Sequence, residues 1–348
     1  MAQQIILSTA LCDEVTALCE AKADKLFVLT DTTTHEKCLP LLKGCRALED
    51  ATHIVIGATD THKTLDTLAA VWQQLGRQGG SRHSMMICLG GGMVTDLGGF
   101  AASTFKRGIR FINIPTTLLA MVDAAVGGKT GINFDGLKNE IGAFNESEAV
   151  IINTQFLHTL DSENIRSGYA EMLKHALLSG QDLLGRHLDF DLNKPDLPRL
   201  QTMVAESIKV KEEIVKADPH EHGLRKALNL GHTFGHALES LALEQDRAVL
   251  HGYAVAWGLV CELYLSCALR QFPENIMRQC VRFIRDYYGT FAFDCKTYDH
   301  LYELMRHDKK NQAGVINFTL LNGVGNIALD CHATQKDVYE AFDFLREA

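Results

Sequence analysis

The chain has no surplus of positive charge and no basic tail. Its 34 Lys and Arg face 43 Asp and Glu, a formal net charge of −9, which excludes a protein that holds nucleic acid by neutralising phosphates without sequence preference. The N-terminus lacks both a basic start and a long apolar stretch, so Met1-Ala2-Gln3-Gln4-Ile5-Ile6-Leu7 reads as a first strand and not as a secretory signal. No apolar run reads as long enough to span a bilayer. Neither nucleic acid nor a membrane is therefore an expected partner. The ten cysteines form no CxxC. Scattered among apolar neighbours, as at Cys12, Cys19, Cys88, Cys261 and Cys267, they are expected to be reduced, structural thiols of a cytoplasmic protein. Internal repeats and low-complexity segments are also missing.

What is present is an ordinary globular composition, 46% hydrophobic and 22% charged over 348 residues. At roughly 150 residues per domain this length implies two domains. In the first part, strand and helix signals alternate. Lys25 to Thr30, His53 to Ile56, Met85 to Leu89 and Phe111 to Ile114 read as strands, and Leu65, Leu68, Ala69, Trp72 and Leu75 mark one face of a helix over Thr64 to Leu75. That alternation predicts a mostly parallel sheet covered by helices. Beyond Asn153 the pattern turns helical: Asp161 to Ser179, Leu197 to Ala217, Lys226 to Leu243, His251 to Leu269 and Pro273 to Tyr288, with a small hairpin over Val315 to Leu321 and Ile327 to Leu329. The expected organisation is an α/β Rossmann-like domain over 1–155 and a mostly α-helical domain over 156–348.

Gly90-Gly91-Gly92 lies between a predicted strand and a predicted helix. Such a run lets backbone amides approach a pyrophosphate at a helix N-terminus, although tight turns use the same residues. It is not a GxGxxG and stands far from the first strand, so the usual dinucleotide-binding strand order is doubtful. Asp31, at the end of an early strand, is placed like a ribose-binding acid or like a surface carboxylate. Thr116 and Thr117 can cap a helix or bond a phosphate. Gly127-Gly128-Lys129-Thr130 resembles the end of a P-loop, but Asp123 stands where that motif needs its first glycine, which rejects nucleotide hydrolysis. Lys138-Asn139 and Arg107-Gly108 are read as loop residues.

In Leu228-Asn229-Leu230-Gly231-His232-Thr233-Phe234-Gly235-His236 the histidines stand four apart, on one face of a helix. They serve either as satisfied core residues or as a metal or proton-transfer pair. Glu171 and Lys174, at i and i+3, form a salt bridge or a ligand beside a lysine. A Zn²⁺ site made of Glu171 and two histidines would leave open positions for substrate oxygens. Spacing favours His232 with His236 and leaves His251 open. The string Asp308-Lys309-Lys310-Asn311 reads as a solvated charge run.

In order along the chain, GGGxxxDLxGFxA, PTTLLAMVDAAVGGKT, KNxIGAF, GYAEMLKHA, LRxxLNxGHTxGHAxE, HGxAVAxG and DKK resemble the 3-dehydroquinate synthase family, within the sugar-phosphate cyclases, over most of the sequence. The resemblance implies an NAD-binding domain, a metal-binding helical domain, and a site in the cleft between them. It implies Zn²⁺ or Co²⁺ on Glu171, His232 and His251. His236 is then left to move a proton near the substrate hydroxyl. It places Asp123, Lys129, Asn139 and Lys174 among catalytic residues, and Lys211, Arg225, Asn229 and Lys310 (in preference to Lys309) on the substrate. Arg107 matches a residue that reaches the substrate phosphate across a homodimer. Cofactor positions match Asp31, Asp60, Lys63, Gly91, Gly92, Asp96, Thr116, Thr117 and Lys138. The register near Asp60 departs from relatives, as does the loop Asp218-Pro219-His220-Glu221-His222.

The implied substrate is 3-deoxy-D-arabino-heptulosonate 7-phosphate, a phosphorylated sugar acid. Transient oxidation, β-elimination of phosphate, reduction and intramolecular aldol closure give 3-dehydroquinate. Lys211 with Arg225 fits the carboxylate, which disfavours a 2-deoxy-scyllo-inosose synthase acting on glucose 6-phosphate. A metal-dependent polyol dehydrogenase would share the plan but release NADH, and would not need so many phosphate-directed bases. A noncatalytic relative would be expected to lack one of the metal residues.

Overall fold

A computed structural model describes residues 3–19, 23–307 and 315–347. The chain divides into two compact units, Met1–Asp161 with Leu197–Ile208, and Ser162–Asp196 with Lys209–Ala348.

The first unit is built on a six-stranded sheet. Its strands are β1 (Gln4–Leu7), β2 (Leu26–Asp31), β3 (Thr52–Ile56), β4 (Met85–Gly90), β5 (Arg110–Pro115) and β8 (Ala149–Ile152). They run in the order β1-β8-β5-β4-β2-β3, every neighbouring pair parallel. Central strand β4 is buried throughout, as expected where helices cover both faces of a parallel sheet. Phe27, Leu29, Met86, Cys88 and Phe111 pack with Leu68, Val71 and Leu75 of α3 (Leu65–Arg77) and Val94, Leu97 and Ala101 of α4 (Gly92–Thr104). The every-second-residue selection along β2 and β4 is the strand period at work. Shorter helices α1 (Leu11–Cys19) and α2 (Thr32–Lys37) complete the connections.

β3 lies on one side of β2 and β4 on the other. The chain thus reverses direction across the sheet between β2 and β4, and ligands of open α/β sheets bind at the carboxyl ends of strands flanking such a reversal. Asp31 ends β2, and Gly90 ends β4. The strand order differs from the usual dinucleotide-binding order, in keeping with the late position of the glycine run.

The second unit contains α5 (Ser162–Ser179), α6 (Gln181–Leu188), α8 (His232–Glu244), α9 (His251–Arg270), α10 (Glu274–Tyr288), α11 (Tyr298–Arg306), α12 (Gln335–Glu347) and the hairpin β9 (Phe318–Gly323) with β10 (Asn326–Cys331). Helix α7 (Leu197–Ala217) contributes to both units. At the centre is α9, which packs on α5, α8, α10, α12 and β9.

Several expectations need correction. The sequence reads one helix over Lys226 to Leu243, but a 3-10 turn over Leu224–Asn229 stops first and α8 starts at His232, because Gly231 takes a left-handed φ of 82°. Lys129, Lys138 and Asn139 lie not in loops but on an antiparallel hairpin, β6 (Lys129–Phe134) and β7 (Leu137–Phe144), turned by Asp135 and Gly136. The C-terminal hairpin begins its ladder at Phe318 and not at Val315. By length and composition α9 is apolar enough to cross a bilayer. Its interior burial and its polar residues His251, Glu262 and Ser266 mark it as a core helix. Finally, Cys12 and Cys45 are joined as a disulfide across 33 residues. Nothing in their spacing announces that contact, which depends on α1 packing against the turn Arg46–Leu48.

Candidate active site

Glu171 sits in the middle of α5 and is fully buried. His232 Nε2 and His251 Nε2 approach its Oε1 at 3.4 and 3.5 Å. These are long for hydrogen bonds. Two ligand atoms held about 2.1 Å from a tetrahedral ion, however, stand about 3.4 Å apart. The other ring nitrogens are held as well: His232 Nδ1 lies 3.1 Å from the Leu230 carbonyl and His251 Nδ1 lies 3.2 Å from Glu239 Oε2. Such partners fix the tautomer and aim Nε2 inward. Glu171, His232 and His251 therefore fit a divalent ion by geometry and by donor chemistry. His236 is one turn along α8, its ring 5.4 Å from that of His232 and 6.0 Å from that of His251.

Lys174, also buried, pairs with the second oxygen of Glu171. Burial opposes the charge on Glu171, but Lys174 and His232 outweigh it and hold the carboxyl well below its usual range. Burial also opposes a proton on His251, yet Glu171 and Glu239 raise it to about 10. Without metal, His251 is thus protonated at neutral pH, and an ion must displace that proton. Metal loading is expected to release protons and to tighten by up to about tenfold per pH unit below that value. Competition with a chromophoric chelator across a neutral-to-alkaline series checks this, and a flat affinity would contradict it.

Lys211 on α7 and Arg225 on the 3-10 turn are both buried cations. The Arg225 guanidinium donates to the Pro219 carbonyl, and its backbone N–H donates to Asp218. Asn229 donates through Nδ2 to Glu221 at 2.9 Å. The unusual loop around Pro219 thus holds both residues. Lys309 and Lys310 lie outside the described residues.

In the first unit, Lys63 is buried and pairs with Asp96 at 2.5 Å and with Asn139 Oδ1. Asn139 also donates its backbone N–H to Asn133, whose side chain donates in turn to Asp60. One connected network therefore joins Asp60, Lys63, Asp96 and Asn139. Gly91 precedes α4 and Gly92 opens it. Thr116 donates its backbone N–H to Gly90, while the Thr117 hydroxyl accepts from Ala120 N. Asp31 caps α2, accepting from Thr34 N at 2.8 Å. Asp123 stands on a π-helical turn over Ala120–Ala124. Arg107 follows α4 with a φ of 71°. Lys129 and Lys138 are exposed on the hairpin strands.

Family models of the 3-dehydroquinate synthase N-terminal and C-terminal regions match residues 53–167 and 168–311. The chain belongs to the 3-dehydroquinate synthase family. A 3-dehydroquinate synthase of Parabacteroides distasonis is 53% identical over 331 residues, covering 95% of this chain and 94% of that one. One from Corynebacterium efficiens is 40% identical, covering 79% and 76%. Among solved structures, a 2-epi-5-epi-valiolone synthase from Streptomyces hygroscopicus, with NAD⁺ and Zn²⁺ bound, has a TM-score of 0.86 at 28% identity, covering 100% and 97%.

Sequence reasoning gave no role to Glu239, Glu221 or Glu262, although Glu239 closes one of the matched strings and Glu221 lies in the unusual loop. Glu239 had a signal, since His232, His236 and Glu239 fall at i, i+4 and i+7 on one helix face. Glu221 had none, because a loop sets its contact with Asn229.

Proposed function

We propose that this member of the family converts 3-deoxy-D-arabino-heptulosonate 7-phosphate to 3-dehydroquinate and phosphate, as a lyase that needs NAD⁺ and a divalent ion, Zn²⁺ or Co²⁺. The observation that carries the reading is the convergence of His232 and His251 on buried Glu171, each imidazole oriented from behind. When bound, an ion held by Glu171, His232 and His251 would supply Lewis acidity at a substrate alcohol, and NAD⁺ would supply reversible hydride acceptance.

The chain's own residues orient and place charge. Lys174 holds Glu171 ionised. His236 moves the proton of the substrate hydroxyl, a role supported by its ring contacts with His232 and His251. Lys211 and Arg225 bind the carboxylate, concentrating positive charge on a protein whose net charge is −9. Lys129, Asn139, Asn229, Lys310 and Arg107 of a second subunit take the phosphate, and Asp123 serves among the catalytic residues. The amides of Gly91 and Gly92 at the start of α4 favour a pyrophosphate. Asp31, Asp60, Lys63, Asp96, Thr116, Thr117 and Lys138 complete the cofactor pocket. The proposal includes a cytoplasmic homodimer without nucleic-acid or membrane partners.

Purified protein with Zn²⁺ or Co²⁺ and a trace of NAD⁺ is expected to release many equivalents of phosphate per NAD⁺ from the heptulosonate, and none from glucose 6-phosphate. Omitting either cofactor abolishes release. Stoichiometric NADH without phosphate would identify a polyol dehydrogenase instead.

A further inference from the structure

Gly231 adopts its left-handed turn immediately before α8 and carries no side chain to cap the helix. The amides at that helix start are buried and have no acceptor within the helix, so they need partners elsewhere. They find them on Glu262, a fully buried residue of α9. Its Oε2 accepts from Gly231 N at 2.6 Å, and its Oε1 accepts from Thr233 N at 3.2 Å. The two donors bracket His232.

The Gly231 N–H belongs to the same peptide group as the Leu230 carbonyl, and that carbonyl lies 3.1 Å from His232 Nδ1. Glu262 therefore holds one edge of a peptide whose other edge sets the orientation of the imidazole. A carboxylate on the N–H edge polarises the peptide and strengthens its carbonyl as an acceptor. Glu262 also stands 11 residues after His251 on α9. At 100° per residue this spacing returns to within about 20° of the same face. Gly258, one turn before Glu262, seats α9 on this turn: a Cβ there would lie 1.9 Å from the Gly231 carbonyl.

We infer that Glu262 is a positioning residue for the metal site, acting on His232 through the Leu230–Gly231 peptide. The inference rests on the reading of His232 as a ligand. The test uses the full chain loaded with Zn²⁺ or Co²⁺. Glu262→Gln keeps the size but loses the charge and one acceptor. It is expected to bind Zn²⁺ roughly 10–100-fold more weakly, the usual effect of removing a partner behind a metal-bound histidine, and to shift the visible bands of bound Co²⁺. Its melting in chelator serves as the control for a purely structural cap. If the glutamine variant does not fold, Glu262→Asp, which keeps the charge but falls one methylene short, is expected to move both readouts the same way. Wild-type affinity and an unshifted Co²⁺ spectrum would overturn the inference. His232→Ala separates the two readings: Zn²⁺ bound as in the wild type there would remove the ligand assignment itself.

Discussion

Replacing Glu171 with alanine will strip the protein of divalent metal and destabilise it even when metal is absent. Both consequences follow from one buried carboxylate. Glu171 is fully buried and pairs with Lys174, which is 1% exposed. Deleting the acid leaves a buried ammonium uncompensated, a change that costs about 3–5 kcal/mol. Denaturant unfolding of the chelator-treated proteins measures that loss directly. A double variant, Glu171→Leu with Lys174→Met, removes both charges and is expected to recover most of the stability, because an apolar pair of similar volume replaces a buried ion pair at little cost. It should recover neither metal nor phosphate release. The sign with pH follows from the same group. Its carboxyl is held below the usual range, so its contribution is present at neutral pH and lost as acid protonates it. A Glu171→Ala protein as stable as the wild type in chelator would show that Lys174 is satisfied elsewhere.

The parts of the fold that local chemistry dictates were legible in the sequence. The buried run Met85 to Leu89 and the helical period of Leu65 to Leu75 reflect strand and helix geometry alone, and both elements form where they were expected. The hairpin over 129–144 was not legible. Its glycines suit a phosphate loop as well as they suit close strand pairing, and both Gly131 and Gly142 face backbone across the ladder. The helix break at Gly231 was hidden because an apolar helical period runs straight through Ala227, Leu230, Phe234 and Leu238. What stops the helix is the fit of α9 against the turn, a contact between residues far apart in sequence. Glu262 and the Cys12–Cys45 pair escaped for the same reason. Glu171, His232 and His251 stood out as a group only through the family resemblance, since spacing alone favoured His232 with His236. His251 comes from a separate helix and joins the cluster only once α8 and α9 have packed.

That difference between the histidines gives the second large effect. His251→Ala is expected to empty the metal site, with an affinity loss beyond the roughly 100-fold seen when only an orienting partner is removed. Phosphate release should fall to background and recover little with added Zn²⁺. His236→Ala is expected to keep the metal and turn over slowly, by about 10²–10⁴-fold, the range for losing a positioned proton-transfer group. His251 Nε2 lies 3.5 Å from Glu171 Oε1 and its far nitrogen is fixed by Glu239. His236 is placed against the cluster by ring contacts, and the set of converging donor atoms does not include it. Metal content by elemental analysis after gel filtration, read beside kcat for each variant, separates the roles. Metal retained in His251→Ala and lost in His236→Ala would reverse the assignment and return the site to the pair of histidines that spacing alone prefers.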